Sequence, residues 1–333
     1  MSLPKAYVGL PIQEAGLKLL RGSVDFKIWE KEGAPPREEL FRELKDVEGL
    51  LSGLPIRVDE ELLNAAPKLK VVSNYAVGYD NIDVEAATRR GICVTNTPGV
   101  LTPATADLTF ALILASARRI IESSNFLRSG GWKIWSPELM VGVEVAGATI
   151  GIIGFGQIGQ AVARRAKGFD MNVIYFDTER KPDAEKQLGA RYLPLEDLLK
   201  ESDFVTLHCV LNEKTKNLIG EKELRMMKKT AILVNAARGP LVDQAALYRA
   251  CSEKWIQGAG LDVFVKEPVP LDEPLLTLPN VTTVPHIGSA SRVARDGMAT
   301  RSAENLVAVL HGKKPRSLVN REVWKDWPEE PSK

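Results

Sequence analysis

Short apolar runs rich in β-branched residues alternate with amphipathic segments along most of this chain. The first third has five such runs, each predicted to form a strand: 6–10, 24–29, 47–51, 69–74 and 92–95. The remainder has six more, again predicted as strands: 150–153, 173–176, 204–209, 232–235, 260–264 and 282–284. Because strands that alternate with helices form parallel sheets, the pattern predicts an α/β protein.

The alternation is interrupted at Thr97-Pro98-Gly99, which we interpret as a crossing between domains. A chain of 333 residues also favours two domains over one. A helix is predicted from Thr102 to Arg119, and since it is apolar almost all round, it should be buried within the subunit or against a second copy. Residues 129–144 predict an irregular loop, residues 289–310 a final helix, and the tail after Trp327 a frayed end.

The stretch from Thr149 to Asp177 contains a glycine-rich motif in a specific context. An apolar run leads into Gly154, Gly156 and Gly159, a helical pattern follows, and a second apolar run stops at an acid. These glycines permit a tight turn, close approach of backbone to a pyrophosphate, and close packing of helix on strand. The motif therefore predicts a dinucleotide site, with a glycine-rich turn in an ordinary βαβ unit as the alternative.

Composition excludes several classes of partner. Lys plus Arg number 44 and Asp plus Glu 43, which gives a net charge of +1, and the sequence contains no basic block. This argues against nucleic acid or a membrane surface as a partner. Three distant cysteines indicate neither a disulfide framework nor a metal site, so we expect a reducing, cytoplasmic compartment. The N-terminus lacks an apolar signal core, and the run at 110–115 is too short to span a bilayer.

Three stretches that follow predicted strands carry candidate chemistry: 235–239, 262–268 and 285–288. They bring Arg238, Glu267 and His286 to the edge where open α/β sheets bind ligands. Reduction of a 2-oxo acid needs a bidentate cation for the carboxylate and a proton for the carbonyl oxygen. Arg and protonated His meet these needs, and a neighbouring Glu orients the imidazole.

Each of these residues has an ordinary structural interpretation when taken singly. An Arg after a strand commonly forms a surface salt bridge, and a Glu before Pro commonly caps a turn. A lone His more often has a structural role, with its hydrogen bonds made within the fold. Their joint occurrence behind a nucleotide motif favours catalysis. His208 is a competing base, but no acid in its own loop orients it, so we expect it to line the cofactor site.

The three stretches, the glycine motif and their order resemble the D-isomer-specific 2-hydroxyacid dehydrogenase family, most closely its glyoxylate reductase / hydroxypyruvate reductase branch. Residues 75–83, 95–102 and 258–264 are especially similar. The resemblance implies two Rossmann-like or flavodoxin-like doubly wound parallel-sheet domains. An NAD-binding domain at 99–288 would be inserted into a discontinuous substrate domain at 1–98 and 289–333. It also implies a homodimer formed through the cofactor domain.

The resemblance assigns roles to individual residues. Arg238 would bind the substrate carboxylate, His286 would donate the proton, and Glu267 would be the partner of His286. Substrate contacts are also implied for the Val77 and Gly78 amides, from the other domain, and for the loop around Leu54, and no metal is implied. The expected cofactor contacts are Gly154, Phe155, Gly156, Gln157, Ile158, Gly159, Asp177, Thr178, His208, Cys209, Val210, Ala236, Ala237, Arg238, Asp262, His286 and Gly288.

Two departures from the family pattern affect the cofactor. Asp177 can accept hydrogen bonds from a ribose hydroxyl and would repel a 2′-phosphate, so we expect NADH to be preferred over NADPH. Arg180 is the residue that could restore NADPH binding. Val210 stands where the family usually has proline, which should loosen the loop over the adenosine ribose.

The sequence therefore predicts a cytoplasmic, NAD-dependent, D-specific reductase of glyoxylate or a related small 2-oxo acid such as hydroxypyruvate. A phosphite dehydrogenase-like oxidoreductase remains an alternative, because the same Arg and His could hold an oxyanion. A formate dehydrogenase is disfavoured, since such enzymes have Gln in place of Glu267. A non-catalytic, NAD-sensing binding protein of the co-repressor type is a further alternative, because relatives of that class can retain all three site residues.

Overall fold

The computed structural model describes residues 2–326, which form two compact units. One unit comprises the chain up to Leu101 and from Ala290 onward, and the other is Thr102–Ser289. The tail after Trp327, for which a frayed end is predicted, lies outside the described residues. Within the described range, no helix is both long and apolar enough to cross a membrane.

The strands are short and lie in this order: β1 Lys5–Val8, β2 Asp25–Ile28, β3 Gly49–Ser52, β4 Val71–Asn74, β5 Cys93–Thr95, β6 Thr149–Ile153, β7 Asn172–Phe176, β8 Arg191–Tyr192, β9 Phe204–Leu207, β10 Ile232–Asn235, β11 Gly258–Leu261 and β12 Val281–Thr283. The α-helices are α1 Glu14–Leu20, α2 Arg37–Glu43, α3 Glu60–Asn64, α4 Val84–Arg89, α5 Thr102–Ala117, α6 Ile120–Arg128, α7 Gln157–Ala166, α8 Pro182–Leu188, α9 Leu195–Glu201, α10 Glu221–Met226, α11 Gln244–Ser252 and α12 Arg292–Leu310. Short 3₁₀ turns occur at Lys167–Phe169, Gly239–Leu241, Pro274–Thr277 and Arg321–Asp326.

The first unit contains a five-stranded parallel sheet in the order β2-β1-β3-β4-β5. Every residue of β3 and β4 is buried, including the polar Ser52, Ser73 and Asn74, so these strands do not alternate between buried and exposed positions. The helix α12 packs on α1 and on the central strands β3 and β4. Helices from both ends of the chain therefore cover the same sheet.

The second unit contains a seven-stranded parallel sheet in the order β12-β11-β10-β9-β6-β7-β8. Successive residues of β6 enter different apolar clusters, Ile152 on one face of the sheet and Ile153 on the other. The strand order reverses at β6, which has β7 on one side and β9 on the other. This reversal is the switch point at which doubly wound sheets bind ligands, and the predicted fold class is confirmed.

Several predicted boundaries differ from the observed ones. The strand predicted at 260–264 is β11, which starts at Gly258 and ends at Leu261. The final helix starts at Arg292 rather than 289, since the Ser291 side chain caps it. The helix predicted to Arg119 ends at Ala117, and α6, which has no buried residue, was not predicted from the pattern.

Asn320 connects the segment after α12 to the edge strand β5. Its Oδ1 accepts the Val94 N–H at 2.8 Å, and its Nδ2 donates to the Ile92 carbonyl at 2.8 Å and the Thr88 hydroxyl at 3.0 Å. The side chain is buried, so these partners have no access to water if it is removed. The amide therefore covers a sheet edge that would otherwise present unpaired backbone groups.

We predict that Asn320→Ala lowers the free energy of unfolding by about 2–4 kcal/mol, because it leaves buried donors and acceptors unpaired. Urea denaturation with amide hydrogen exchange at Val94 measures the effect. Asn64→Ala is the control, since Asn64 is exposed and accepts one bond from Arg90. Unchanged stability and unchanged protection of Val94 in Asn320→Ala would contradict the assignment.

Candidate active site

The loop between β6 and α7 has the backbone shape that the glycine motif predicts. Gly154 has a φ of +92°, and a Cβ there would lie 2.5 Å from the Cys209 nitrogen and 2.6 Å from the His208 carbonyl carbon. At Gly156, the N-cap of α7, an added Cβ would meet nothing within 4 Å. The backbone is therefore open to a ligand at the start of a ten-residue helix whose first N–H groups point outward. This cradle fits a dinucleotide pyrophosphate.

The remaining motif residues lie around this loop. Gln157 and Ile158 form the first turn of α7, and a Cβ at Gly159 would lie 2.2 Å from the Gly154 carbonyl oxygen. Phe155 is fully buried, with its ring stacked on Tyr175 at 4.0 Å between centroids, so its side chain belongs to the core.

Asp177 follows β7 and is bonded to the glycine loop. Its Oδ2 accepts the Phe155 N–H at 2.7 Å, while Oδ1 accepts the Thr178 hydroxyl at 3.2 Å and the Glu179 N–H at 3.4 Å. Each carboxylate oxygen has two lone pairs, so the carboxylate retains capacity for a ribose hydroxyl. The predicted ribose acid therefore also fixes the loop beside it.

The loop after β9 contributes neutral groups. The His208 Nε2 lies 2.9 Å from the Thr206 hydroxyl, and its Nδ1 is buried without a partner among the described residues. Burial lowers the pKa of His208 to about 3, so the ring is neutral near pH 7 and holds no proton to donate as imidazolium. Burial likewise raises the pKa of the Cys209 thiol to about 11, and Val210 is exposed. The three residues are therefore suited to lining the cofactor site and not to transferring protons.

Arg238 lies on a loop after β10 that is shaped by its neighbours. The buried Asn235 side chain accepts the Ala237 N–H at 3.1 Å and donates to the Arg238 carbonyl at 2.8 Å. The Arg238 Nη1 donates to the Ala237 carbonyl at 2.8 Å. Ala236, the first residue after β10, is buried.

Gly239 determines how closely the Arg238 loop packs on the next one. A Cβ at this position would lie 2.0 Å from the Phe264 carbonyl carbon. Any side chain here would push the Arg238 loop away from the segment that leads to Glu267. Sequence reasoning named neither Asn235 nor Gly239 for these roles, although a polar residue ending a buried strand and a glycine after the Arg are visible signals.

Glu267 and His286 form a direct pair. The Glu267 Oε2 lies 2.6 Å from the His286 Nδ1, and its Oε1 accepts the Phe264 N–H at 2.9 Å. Partial burial acts to raise the pKa of Glu267, but the hydrogen bond and charge of His286 outweigh it, so the pKa lies below its usual value. The ionised carboxylate therefore accepts Nδ1–H, which leaves Nε2 as the ring nitrogen available for proton transfer.

Asp262 holds the loop that carries His286. Its buried carboxylate accepts the Ile287 N–H at 2.6 Å and the Gly288 N–H at 2.8 Å, and its carbonyl accepts the His286 N–H at 2.9 Å. Burial raises the pKa of Asp262 to about 6, against the lowering effect of these amides. The predicted cofactor contact is thus also the residue that positions the proposed proton donor.

The predicted substrate residues Leu54, Val77 and Gly78 lie in the first unit, on loops that follow β3 and β4. Asn74 donates to the Gly78 carbonyl and Asn96 to the Val77 carbonyl, each at 2.8 Å. These contacts fix the backbone of the loop within its own unit.

The second unit contains an open glycine loop at a helix N-terminus, the carboxylate of Asp177 bonded to that loop, Arg238, and the Glu267–His286 pair. Within residues 2–326, no group of three or more His, Cys, Asp or Glu side chains is placed to hold a metal ion. The geometry supports positioned proton transfer beside a bound dinucleotide.

Comparison with known proteins agrees with this geometry. The family model for the D-isomer specific 2-hydroxyacid dehydrogenase, NAD binding domain, matches residues 110–288. The chain is 53% identical to the glyoxylate reductase of Korarchaeum cryptofilum over 323 residues, 97% of each chain. A crystal structure of a Thermus thermophilus protein matches with a TM-score of 0.89 at 45% identity, covering 95% of this chain and 99% of that one.

A further similar structure contains bound ligands. The NADPH-dependent glyoxylate/hydroxypyruvate reductase of Sinorhizobium meliloti, in complex with NADP and malonate, matches with a TM-score of 0.83 at 30% identity, covering 100% of both chains. The predicted resemblance is confirmed by these matches. This chain belongs to the D-isomer-specific 2-hydroxyacid dehydrogenase family.

Proposed function

We propose that this chain uses NADH to reduce glyoxylate to glycolate, or the slightly larger hydroxypyruvate to the D-isomer of its 2-hydroxy acid. The observation that carries the proposal is the Glu267–His286 pair, held at 2.6 Å on the same sheet as the glycine cradle. Relatives described as glyoxylate reductases, 53% identical over nearly the whole chain, support the choice of substrate.

The second unit serves as the cofactor domain in this proposal, with bounds near residues 99 and 288. The backbone of Gly154 to Gly159 would hold the pyrophosphate, Asp177 the ribose, and the loops after β9 to β12 the rest of the dinucleotide. In the first unit, the Val77 and Gly78 amides would bind the substrate carboxylate, and the loop around Leu54 would select its side chain.

The residues of the chain divide the chemical work. When bound, the nicotinamide supplies the hydride. Arg238 offers a planar guanidinium that can bind a carboxylate through two hydrogen bonds and so orient the substrate. His286 delivers its Nε2 proton to the substrate oxygen, while Glu267 accepts Nδ1–H, fixes the ring and compensates its positive charge.

The preference for NADH rests on Asp177. Its carboxylate can accept a ribose hydroxyl, whereas a 2′-phosphate would place two negative charges beside it. The family includes an enzyme whose structure contains NADP, so the preference belongs to this chain's residues rather than to its fold.

A homodimer is supported by an apolar surface on the second unit. Large hydrophobic side chains are exposed within a stretch of about twenty residues: Ile120, Ile121, Leu127, Trp132, Ile134, Trp135 and Val141. Apolar exposure of this extent is typical of a protein interface rather than of a solvated surface. We therefore place the dimer contact on α6 and the loop that follows it.

His286→Ala should lower kcat for glyoxylate reduction by about 10²–10⁴-fold, because it removes the positioned proton donor, while the Kd of NADH stays within about twofold. Stopped-flow NADH consumption and fluorescence titration measure the two quantities. His311→Ala is the control, since His311 is exposed and the one hydrogen bond described for its side chain is to the Ser23 carbonyl.

The wild type should be assayed with glyoxylate, hydroxypyruvate, pyruvate and phenylpyruvate, and with phosphite in the presence of NAD⁺. Turnover of phosphite alone would indicate the phosphite dehydrogenase alternative. NADH binding without turnover of any compound would indicate the binding-protein alternative, and near-normal glyoxylate reduction by His286→Ala would remove His286 from the mechanism.

Glu267→Gln should lower kcat about 10–100-fold, because the amide carries no charge to compensate the imidazolium of His286. Steady-state reduction of glyoxylate measures kcat, with Glu253→Gln, an exposed position, as the control. A kcat unchanged from the wild type would remove Glu267 from the mechanism.

Ile121→Glu combined with Trp135→Ser should weaken the dimer about 100-fold or more, since these side chains are 50% and 73% exposed in the single chain and would be buried in the contact. Sedimentation velocity over a concentration series measures the shift. Leu271→Glu is the control, because Leu271 is 95% exposed in the same unit but on a different loop. An unchanged oligomeric state in the double variant would place the contact elsewhere.

A further inference from the structure

Arg180 lies on the loop between β7 and α8 and is held by Glu185. Its Nε and Nη2 donate to the two carboxylate oxygens of Glu185 at 3.1 and 2.7 Å. The guanidinium also lies 5.7 Å from the centroid of the Tyr192 ring. The arginine that sequence reasoning named as a possible ligand for a 2′-phosphate is therefore paired within its own loop and helix.

Glu185 is itself anchored to the core of the sheet. The Tyr175 hydroxyl donates to its Oε1 at 2.6 Å and accepts the Lys181 N–H at 2.8 Å. The Tyr175 ring is fully buried, stacked on Phe155 of the glycine loop. The hydrogen bonds from Arg180 and Tyr175 lower the pKa of Glu185, so it is an ionised acceptor at neutral pH.

We infer that Glu185 is a specificity-determining residue that keeps Arg180 from binding a 2′-phosphate on the adenosine ribose. The inference rests on the proposed dinucleotide function and extends its NADH preference. An Arg near the acid after the second strand is the group that accommodates a 2′-phosphate in this class of domain. Glu185 binds the Nε and Nη2 edge of the guanidinium through two hydrogen bonds, which fixes the orientation of Arg180 and compensates its charge.

The charges of the surrounding loop point the same way. Lys181 pairs with Glu179 at 3.1 Å, and Asp177 bonds the glycine loop. Three carboxylates thus accompany two cations, and each cation already has a carboxylate partner. A phosphate entering here must compete with an intramolecular acid for Arg180 and approach further negative charge.

Glu185→Gln tests the inference, because glutamine keeps one oxygen for the Tyr175 hydroxyl but replaces the other by an uncharged NH2 group that cannot accept from Arg180. We expect the Kd of NADPH to fall about 10-fold and the Kd of NADH to stay within about twofold. The double variant Arg180→Gln/Glu185→Gln should return the NADPH Kd to the wild-type value, since the released guanidinium is then absent. Fluorescence titration of the full chain measures binding without turnover.

Glu221→Gln is the matched control, because Glu221 pairs with Arg225 and Arg249 elsewhere in the same unit. An unchanged NADPH Kd in Glu185→Gln, with wild-type thermal stability, would overturn the inference. A gain that persists in the double variant would also overturn it, since repulsion by Glu185 rather than restraint of Arg180 would then explain the preference. A wild type that binds neither dinucleotide would overturn the proposed function and, with it, this inference.

Discussion

The site depends first on the buried carboxylate of Asp262. It lies at the end of β11, immediately before the turn that carries Glu267, and it accepts two backbone N–H groups from the loop that carries His286. One side chain therefore fixes the relative position of two loops whose functional residues must meet at hydrogen-bonding distance. Without the carboxylate, the Ile287 and Gly288 amides would lose these partners, and the backbone bond from the His286 N–H to the Asp262 carbonyl would remain between the two loops.

Burial of the Asp262 carboxylate costs folding stability, as the upward shift of its pKa shows. Burial raises the pKa of Asp262 to about 6, so the folded state holds a proton there more tightly than the unfolded chain does. The contribution of this group to stability is present in acid and is lost as pH rises from about 4 to about 6. Above that range the carboxylate is ionised and accepts both amides, so the geometry needed for catalysis is maintained against a desolvation penalty.

Much of this organisation could be predicted from the sequence because parallel topology brings strand ends together. Arg238, Glu267 and His286 were recognisable as candidates since each follows a predicted strand. The helix α6 was not predicted, because none of its residues is buried and its apolar positions therefore mark no stripe that faces a core. The glycine at 239 is visible in the sequence, but its close contact with Phe264 and the acceptance of the Ile287 amide by Asp262 each join residues distant in sequence, so no local pattern identifies these partners.

Asp177 is the residue that the sequence most clearly connects with the proposed choice between NADH and NADPH, but it is not the simplest residue to replace. Asp177 accepts the Phe155 N–H in addition to its proposed contact with the ribose, so its replacement would free a donor in the glycine loop and disturb the cradle together with the selectivity. Glu185 makes no described hydrogen bond to that loop and acts on Arg180 alone among the charged groups of the chain described here. In the proposed function the two acids therefore meet separate requirements: Asp177 maintains the shape of the cradle, and Glu185 controls whether Arg180 is available for a 2′-phosphate. On this proposal, cofactor preference can be altered at Glu185 while the pyrophosphate site stays intact.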